Sequence, residues 1–304
     1  MQSVVITGAN AGLGFQVTLV LARAGAQVVM ACRSEDRARQ AQRDLLEAVP
    51  DARTIILPLD VAEPASILEF GRRVSDQVGP LDLLINNAGI VGAPLARTRV
   101  GHELQLATNY LGVFALTGTL LPLFRPDAPA RIVNVGSLAH RFARLDLDDL
   151  NWERTPYDRW KGYARSKLAM LTFTMELSRR LRVNDGRVIA VGAHPGFAAT
   201  DIGKEIALLS SPNPIAQWLK RKTGPLIPPP AEAAKHILHA ACADGVRSGD
   251  YYGPDGFLEI GGRPGNARLN PAARDEAIGR RLWALSESMT GIRYLSDVAG
   301  NEDR

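Results

Sequence analysis

The sequence predicts an α/β fold in which a parallel sheet carries helices on both faces. Apolar, β-rich runs alternate with helix-like segments along the chain, the pattern of repeated βαβ units. The runs are continuously apolar, as in Val4-Val5-Ile6 and Val188-Ile189-Ala190-Val191, so both faces of each strand are covered. A glycine-rich turn follows directly on the first run. Folds of this kind bind ligands outside the carboxyl ends of the strands, where the strand order reverses.

Taken in order, strands are expected at Ser3–Thr7, Gln27–Cys32, Thr54–Leu59, Leu81–Asn86, Arg131–Val135 and Arg187–Ala193. A helix over Phe15–Ala24 follows the glycine turn, and a long one covers Trp160–Leu181. Beyond it, Asp201–Pro230 breaks the rhythm, and Pro228-Pro229-Pro230 stops the chain before a helix over Ala231–Ala243. Ser248–Gly253 reads as a last edge strand and Pro271–Met289 as a closing amphipathic helix.

Composition narrows the function classes. With 304 residues, one large or two small domains are open, and 46% apolar content supports a sizeable core. Net charge is only +4 and the basic residues are dispersed, which argues against nucleic-acid binding. Cys32 and Cys242 fit no metal spacing and suggest a reducing compartment. The histidines (102, 140, 194, 236, 239) form no ligand constellation, so no metal is expected, and His236 with His239 reads as a surface pair. The chain opens directly on a strand and lacks an apolar run of about 20 residues. A cytoplasmic location without a transmembrane segment is the resulting expectation.

Chemistry-bearing residues fall at the expected strand ends. In Thr7-Gly8-Ala9-Asn10-Ala11-Gly12-Leu13-Gly14, glycines let backbone approach a pyrophosphate that the N–H groups of the helix start then hold. Past the second strand stands Arg33, where an NAD site usually carries an acid. Its planar fork suits a 2′-phosphate, so NADP(H) is favoured over NAD(H). Asp60, followed by Val61, closes the third strand and suits either an adenine contact or a turn. Asn86-Asn87-Ala88-Gly89 closes the fourth with short side chains that let backbone pass close to a flat ligand.

Within the long helix, Tyr163 and Lys167 share a face as i,i+4 neighbours. A cation beside a phenol lowers the phenol pKa from about 10, giving a proton donor or acceptor for carbonyl and alcohol chemistry. Ser137 stands at the end of the fifth strand, where its hydroxyl can bond a substrate oxygen. The stretch between Leu138 and Gly162, with Trp152, Tyr157 and Trp160, reads either as an excursion bordering the substrate mouth or as a packing loop.

These residues together resemble the short-chain dehydrogenase/reductase family. The resemblance rests on Thr7-Gly8-xxx-Gly12-x-Gly14, Asp60, Asn86-Asn87-Ala88-Gly89, Asn109, Ser137, Tyr163-xxx-Lys167 and Pro195-Gly196-xxx-Thr200. It implies a single-domain, doubly wound Rossmann fold with about seven parallel strands and NAD(P)-dependent oxidoreduction. The resemblance gives Asn109 a role in relaying protons from Lys167 and brings Pro195, Gly196 and Thr200 to the nicotinamide carboxamide. It also places a substrate lid over 201–230, where Ile206-Ala207-Leu208-Leu209 and Trp218 suit an apolar substrate.

Further wording resembles the retinol dehydrogenase-like branch: Ala31-Cys32-Arg33, Asn109-Tyr110-Leu111-Gly112-Val113-Phe114, Asp149-Leu150-Asn151-Trp152 and Arg281-Leu282-Trp283. Gly136 departs from the family, where a second Ser is usual, and an N-terminal anchor like that of animal retinol dehydrogenases is not expected. The expected reaction is hydride exchange between nicotinamide and a small apolar aldehyde, ketone or secondary alcohol. A non-catalytic dinucleotide-binding regulator and an NAD-dependent dehydrogenase of a polar alcohol are the alternatives. Homo-oligomerisation stays open, as does peripheral membrane contact through Trp218 and Lys220-Arg221-Lys222.

Overall fold

The computed structural model describes residues 2–184, 186–196 and 228–296. Thr200 and 201–227 of the expected lid, with Trp218 and the basic triplet, lie outside the described residues. Within them, eight strands form one sheet in the order β3-β2-β1-β4-β5-β6-β7-β8. They are β1 (Ser3–Thr7), β2 (Gln27–Cys32), β3 (Arg53–Pro58), β4 (Leu83–Asn86), β5 (Ala130–Val135), β6 (Val188–Ala193), β7 (Tyr251–Pro254) and β8 (Pro264–Asn266). All neighbours are parallel except β7 and β8. The order reverses between β1 and β4, which opens the crevice at their carboxyl ends.

The helices are α1 (Gly12–Arg23), α2 (Glu35–Ala48), α3 (Pro64–Gln77), the short α4 (Leu104–Leu106), α5 (Gly112–Leu120), α6 (Arg159–Asn184), α7 (Pro230–Cys242) and α8 (Glu276–Thr290). Successive β1 residues supply opposite cores. Val4 and Ile6 pack with Val17 and Leu21 of α1, Leu45 of α2 and Ile237 of α7. Val5 belongs to the opposite core, which also takes in Phe70 of α3, Phe114 of α5, Leu168 of α6 and Trp283 of α8. Full burial on both faces is why these strands read as unbroken apolar runs.

Polar groups lock the central strands. Buried Asn86 of β4 donates to Asn134 Oδ1 of β5 at 2.8 Å, and Asn134 donates to Thr174 Oγ1 of α6 at 2.9 Å. The paired amides thus carry a polar link across the core from β4 to α6, with Asn86 Oδ1 left without a partner. On the far face of α6, Trp283 of α8 meets Phe114 edge-on with ring centroids 5.0 Å apart, and the Arg180 guanidinium lies over the Trp283 ring.

Several expectations are corrected. The Ser248–Gly253 strand is not an edge: β7 lies between β6 and the antiparallel β8. His236 is buried rather than paired on the surface with His239. A run long and apolar enough to cross a membrane does occur at Leu104–Leu123, but 72% of it is buried against the rest of the fold. The closing helix begins as a 3₁₀ turn, Pro271–Arg274, before α8 starts at an Asp275 cap.

Candidate active site

The glycine turn after β1 is built to accept a flat, charged ligand. Gly8 adopts φ +65 and Gly12 φ +53, the left-handed region that glycine enters without strain. A Cβ on Gly14 would overlap the Gly8 carbonyl, so the turn closes only with glycine there. The Thr7 hydroxyl accepts from the N–H groups of Asn87 and Ala88, both at 2.9 Å, and Asn87 Nδ2 donates back to Thr7 O at 2.9 Å. These bonds clamp the β1 and β4 ends together. Ala11 precedes α1 and offers no side-chain cap, leaving the first N–H groups of α1 free for an anion. Asn10, Ala11, Gly12 and Leu13 all retain exposure at this point. The turn therefore fits a dinucleotide pyrophosphate.

Buried Cys32 ends β2, with the Ala9 and Asn10 backbone groups near its sulfur. Burial pushes this thiol up to about 11, which removes it as a nucleophile and leaves it supporting the turn. Next comes Arg33, exposed at the carboxyl end of the strand, while Ser34 accepts from Arg37 N–H and caps α2. Asp60 turns the chain after β3, where its Oδ1 accepts from Ala62 N–H at 3.0 Å, and Val61 beside it is buried.

Asn109 lies in a π-turn, Ala107–Leu111, between α4 and α5. Its amide is fully engaged: Oδ1 accepts from Ile90 N–H at 2.8 Å, and Nδ2 donates to Ile90 O and Ser166 Oγ, each at 2.9 Å. A Cβ on Gly89 would stand 3.0 Å from Asn109 Oδ1 and 3.5 Å from Lys167 Nζ. The missing side chain at 89 thus keeps open the space beside the lysine.

Ser137 and Tyr163 meet. The Tyr163 phenol and the Ser137 hydroxyl face each other at the tip of β5, close enough for Ser137 to pull on the phenol's ionisation, and Ser137 also caps the 3₁₀ turn Leu138–Phe142 by accepting from Ala139 N–H. Lys167 is buried, and its ammonium donates to Val135 O at 2.8 Å on the same strand. The expected electrostatics differ. Burial of the phenol pushes Tyr163 up to about 12, the Ser137 hydroxyl pulling the other way, and Lys167 does not depress it. Burial lowers Lys167 itself to about 8. The lysine is weakened as a cation by the same desolvation that keeps the phenol protonated.

The stretch after Ser137 is a packed loop. Asp149 accepts from the backbone N–H groups of Glu153, Arg154 and Thr155 and from the Thr155 hydroxyl. Trp152 is buried beneath Arg165, whose guanidinium lies 3.9 Å from the ring centroid. Arg165 also donates to Asp149 O at 2.8 Å, which ties the loop to the turn of α6 between Tyr163 and Lys167.

Pro195 and Gly196 follow β6, Gly196 at φ +70. Among the described residues no group of His, Cys, Asp and Glu could hold a metal ion. Sequence reasoning missed His140, His194, Tyr251 and Glu259, which pack behind Ser137 and Gly196. One signal was legible: Gly136 stands where a second Ser is usual, and a Cβ there would meet the Tyr251 hydroxyl at 2.8 Å.

Comparison with known proteins bears on this geometry. Residues 2–208 match the family model described as short chain dehydrogenase. The chain belongs to the short-chain dehydrogenase family. Human retinol dehydrogenase 13 is 37% identical over 298 residues, covering 96% of this chain and 85% of that protein. Human retinol dehydrogenase 14 is 36% identical, covering 96% of this chain and 87% of its own length. Among solved structures, an uncharacterised protein from Mycobacterium paratuberculosis superposes with a TM-score of 0.78 at 34% identity, over 97% of this chain and 95% of the other. This short-chain dehydrogenase accordingly lies in the retinol dehydrogenase-like branch and is an oxidoreductase of alcohols or carbonyls using a nicotinamide dinucleotide.

Proposed function

We propose that this short-chain dehydrogenase is an NADP(H)-dependent carbonyl reductase or alcohol dehydrogenase acting on a small apolar aldehyde, ketone or secondary alcohol. The observation that carries the reading is the meeting of the Ser137 and Tyr163 hydroxyls at the β5 tip, with Lys167 one helical turn away. In this reading Thr7, Gly8, Asn10, Ala11, Gly12, Leu13 and Gly14 hold the pyrophosphate, with Asp60, Val61, Asn87, Ala88 and Gly89 along the adenine and ribose side. Arg33 pairs with the 2′-phosphate. Pro195, Gly196 and Thr200 meet the carboxamide.

A nicotinamide bound here would supply or accept the hydride. The chain's own groups manage the oxygen. In reduction, Tyr163 gives its proton to the carbonyl oxygen while the Ser137 hydroxyl donates to the developing negative charge, an interaction worth about 3–4 kcal/mol in comparable sites. A phenol held near 12 is fully protonated at neutral pH, as a proton donor must be. Lys167 positions the ribose, and Asn109 keeps the π-turn and the Ile90 backbone in place beside it.

Support for an apolar substrate comes from the side of the site carrying Ser137. Phe142 is 88% exposed and Phe257 85% exposed, and the neighbouring residues Arg141 and Glu259 join their two loops as an ion pair. The 201–230 stretch serves as the lid over that substrate.

Purified enzyme should consume NADPH faster than NADH with apolar aldehydes and ketones, followed at the nicotinamide absorbance. Tyr163→Phe should lower kcat about 10²–10⁴-fold, as loss of a positioned proton donor does, with dinucleotide binding retained. Turnover that survives in Tyr163→Phe would assign the proton to another donor, and a wild type that binds dinucleotide without turnover would favour the non-catalytic regulator. Faster oxidation of polar alcohols with NAD⁺ than any reaction with NADP(H) would replace both cofactor and substrate class.

A further inference from the structure

Behind the β6 tip lies a buried polar cluster that the reaction chemistry does not use. His194 is fully buried, and its two ring nitrogens face different partners. Nδ1 lies 3.1 Å from the Gly196 N–H, which can only donate, so Nδ1 must be the unprotonated acceptor. Nε2 therefore carries the proton and donates to Glu259 Oε2 at 2.8 Å. Glu259 also pairs with Arg141, and its Oε1 accepts from Arg268 N–H at 3.1 Å.

Local backbone is committed to this arrangement. Leu258 and Glu259 stand at φ +53 and +56, a left-handed conformation that non-glycine residues rarely adopt. A Cβ on Gly253 would overlap the His194 ring, and one on Gly196 would overlap Ile260 O and stand 3.0 Å from Glu259 O. Tyr251 of β7 packs against both His194 and His140, with centroids 5.3 and 5.4 Å away. His140 in turn donates from Nδ1–H to the Ser137 carbonyl. One connected set of contacts thus joins the β7–β8 hairpin to the turns that carry Gly196 and Ser137.

We propose that Glu259 is a positioning residue for the dinucleotide site, holding His194 as the neutral Nε2–H tautomer whose Nδ1 fixes the Gly196 turn. This rests on the oxidoreductase reading, in which Gly196 meets the nicotinamide carboxamide. The charges agree with it. Burial opposes ionisation of Glu259, but His194, Arg141 and the Arg268 N–H hold its carboxyl down at about 2. Burial also lowers His194 despite the Glu259 carboxylate, which keeps the imidazole neutral and Nδ1 free to accept.

Two measurements test the assignment. In ¹⁵N-labelled wild-type enzyme near pH 7, His194 should give the neutral Nε2–H pattern; a neutral Nδ1–H pattern or an imidazolium overturns the proposal, whatever any variant does. The second measurement is binding of NADPH or NADH, whichever the wild type binds more tightly, by fluorescence titration. Glu259→Ala should raise Kd about tenfold, the scale of one lost hydrogen bond to a charged group. Glu259→Gln keeps a carbonyl oxygen able to accept from His194 Nε2–H and should stay within about threefold of wild type, less than one neutral hydrogen bond. Wild-type affinity in Glu259→Ala, or a Glu259→Gln variant as weak as Glu259→Ala, overturns the tautomer role alone. A wild-type chain that binds neither dinucleotide overturns the oxidoreductase reading itself, and the positioning role with it.

Discussion

Desolvation, more than the nearby ammonium, governs the phenol at the β5 tip. An i,i+4 lysine is the obvious agent for acidifying Tyr163 when only spacing is in view, because spacing carries no information on burial. In the fold Lys167 donates to Val135 O, and burial raises the phenol to about 12. The sign gives a distinct pH profile. Below about 12 the phenol is protonated, so reduction, which needs the proton, should be flat with pH from Tyr163's side. Oxidation needs the phenolate and should rise about tenfold per pH unit through the neutral and mildly alkaline range. Initial rates of both directions between pH 6 and about 10 decide it, and an oxidation rate that levels off near pH 7 would mean a depressed phenol after all. Gly136 offers a second test. A serine there would bring its Cβ to 2.8 Å from the Tyr251 hydroxyl, so Gly136→Ser should cost about 1–3 kcal/mol by overpacking in denaturant melts. Tyr251→Phe in the same chain should recover part of that loss, since it removes the atom in the way.

Elements differ in how openly they declare themselves. β1 and β2 were legible with their observed ends because both of their faces are buried and the residues are apolar without a break. β8, Pro264–Asn266, has no apolar run at all; it pairs through backbone to the edge of β7, and composition cannot reveal that. The glycine turn, Ser137, Tyr163 and Lys167 were legible because each sits beside a strand end or on a helix face. The cluster of His140, His194, Tyr251 and Glu259 was hidden, since its members come from separate elements and converge only through the sheet order. The stretch between Leu138 and Gly162 was ambiguous for another reason: besides buried Leu150 and Trp152, its backbone is gathered by one carboxylate, Asp149. Burial works against charge on Asp149, yet the hydrogen bonds from Thr155 and from the N–H groups of Glu153, Arg154 and Thr155 hold it at about 2, below the ordinary 3.8. In that window the unfolded chain binds a proton that the native chain does not. The loop's contribution is therefore complete above the ordinary value and fades as pH falls toward 2. Asp149→Ala should cost about 1–3 kcal/mol and speed amide exchange across residues 150–158, with the deficit shrinking in acid. Unchanged exchange would show that Trp152 and Arg165 hold the loop without the carboxylate.

At the scale of the molecule, the crevice lies where the strand order reverses, at the carboxyl end of the paired β1 and β4, and Thr7 with Asn87 and Ala88 bridges it there. A dinucleotide laid along the carboxyl ends of β2, β1, β4 and β5 would add contacts to both halves at once. Binding to the native chain and not to the unfolded one stabilises by mass action, about 2.7 kcal/mol at a hundredfold excess over Kd. For a chain of this size that corresponds to a rise in Tm of about 5 °C. If the exposed Arg33 pairs with a 2′-phosphate as proposed, the rise depends on that group. NADP⁺ should therefore protect more than NAD⁺ at equal concentration, and in Arg33→Ala the two should protect alike, because only the phosphate contact is removed. Melting curves with each dinucleotide on the wild type and the variant separate the outcomes. Greater protection by NAD⁺ in the wild type would mean that the end of β2 reads ribose hydroxyls rather than a phosphate, and that Arg33 serves only the solvent face of the turn before α2.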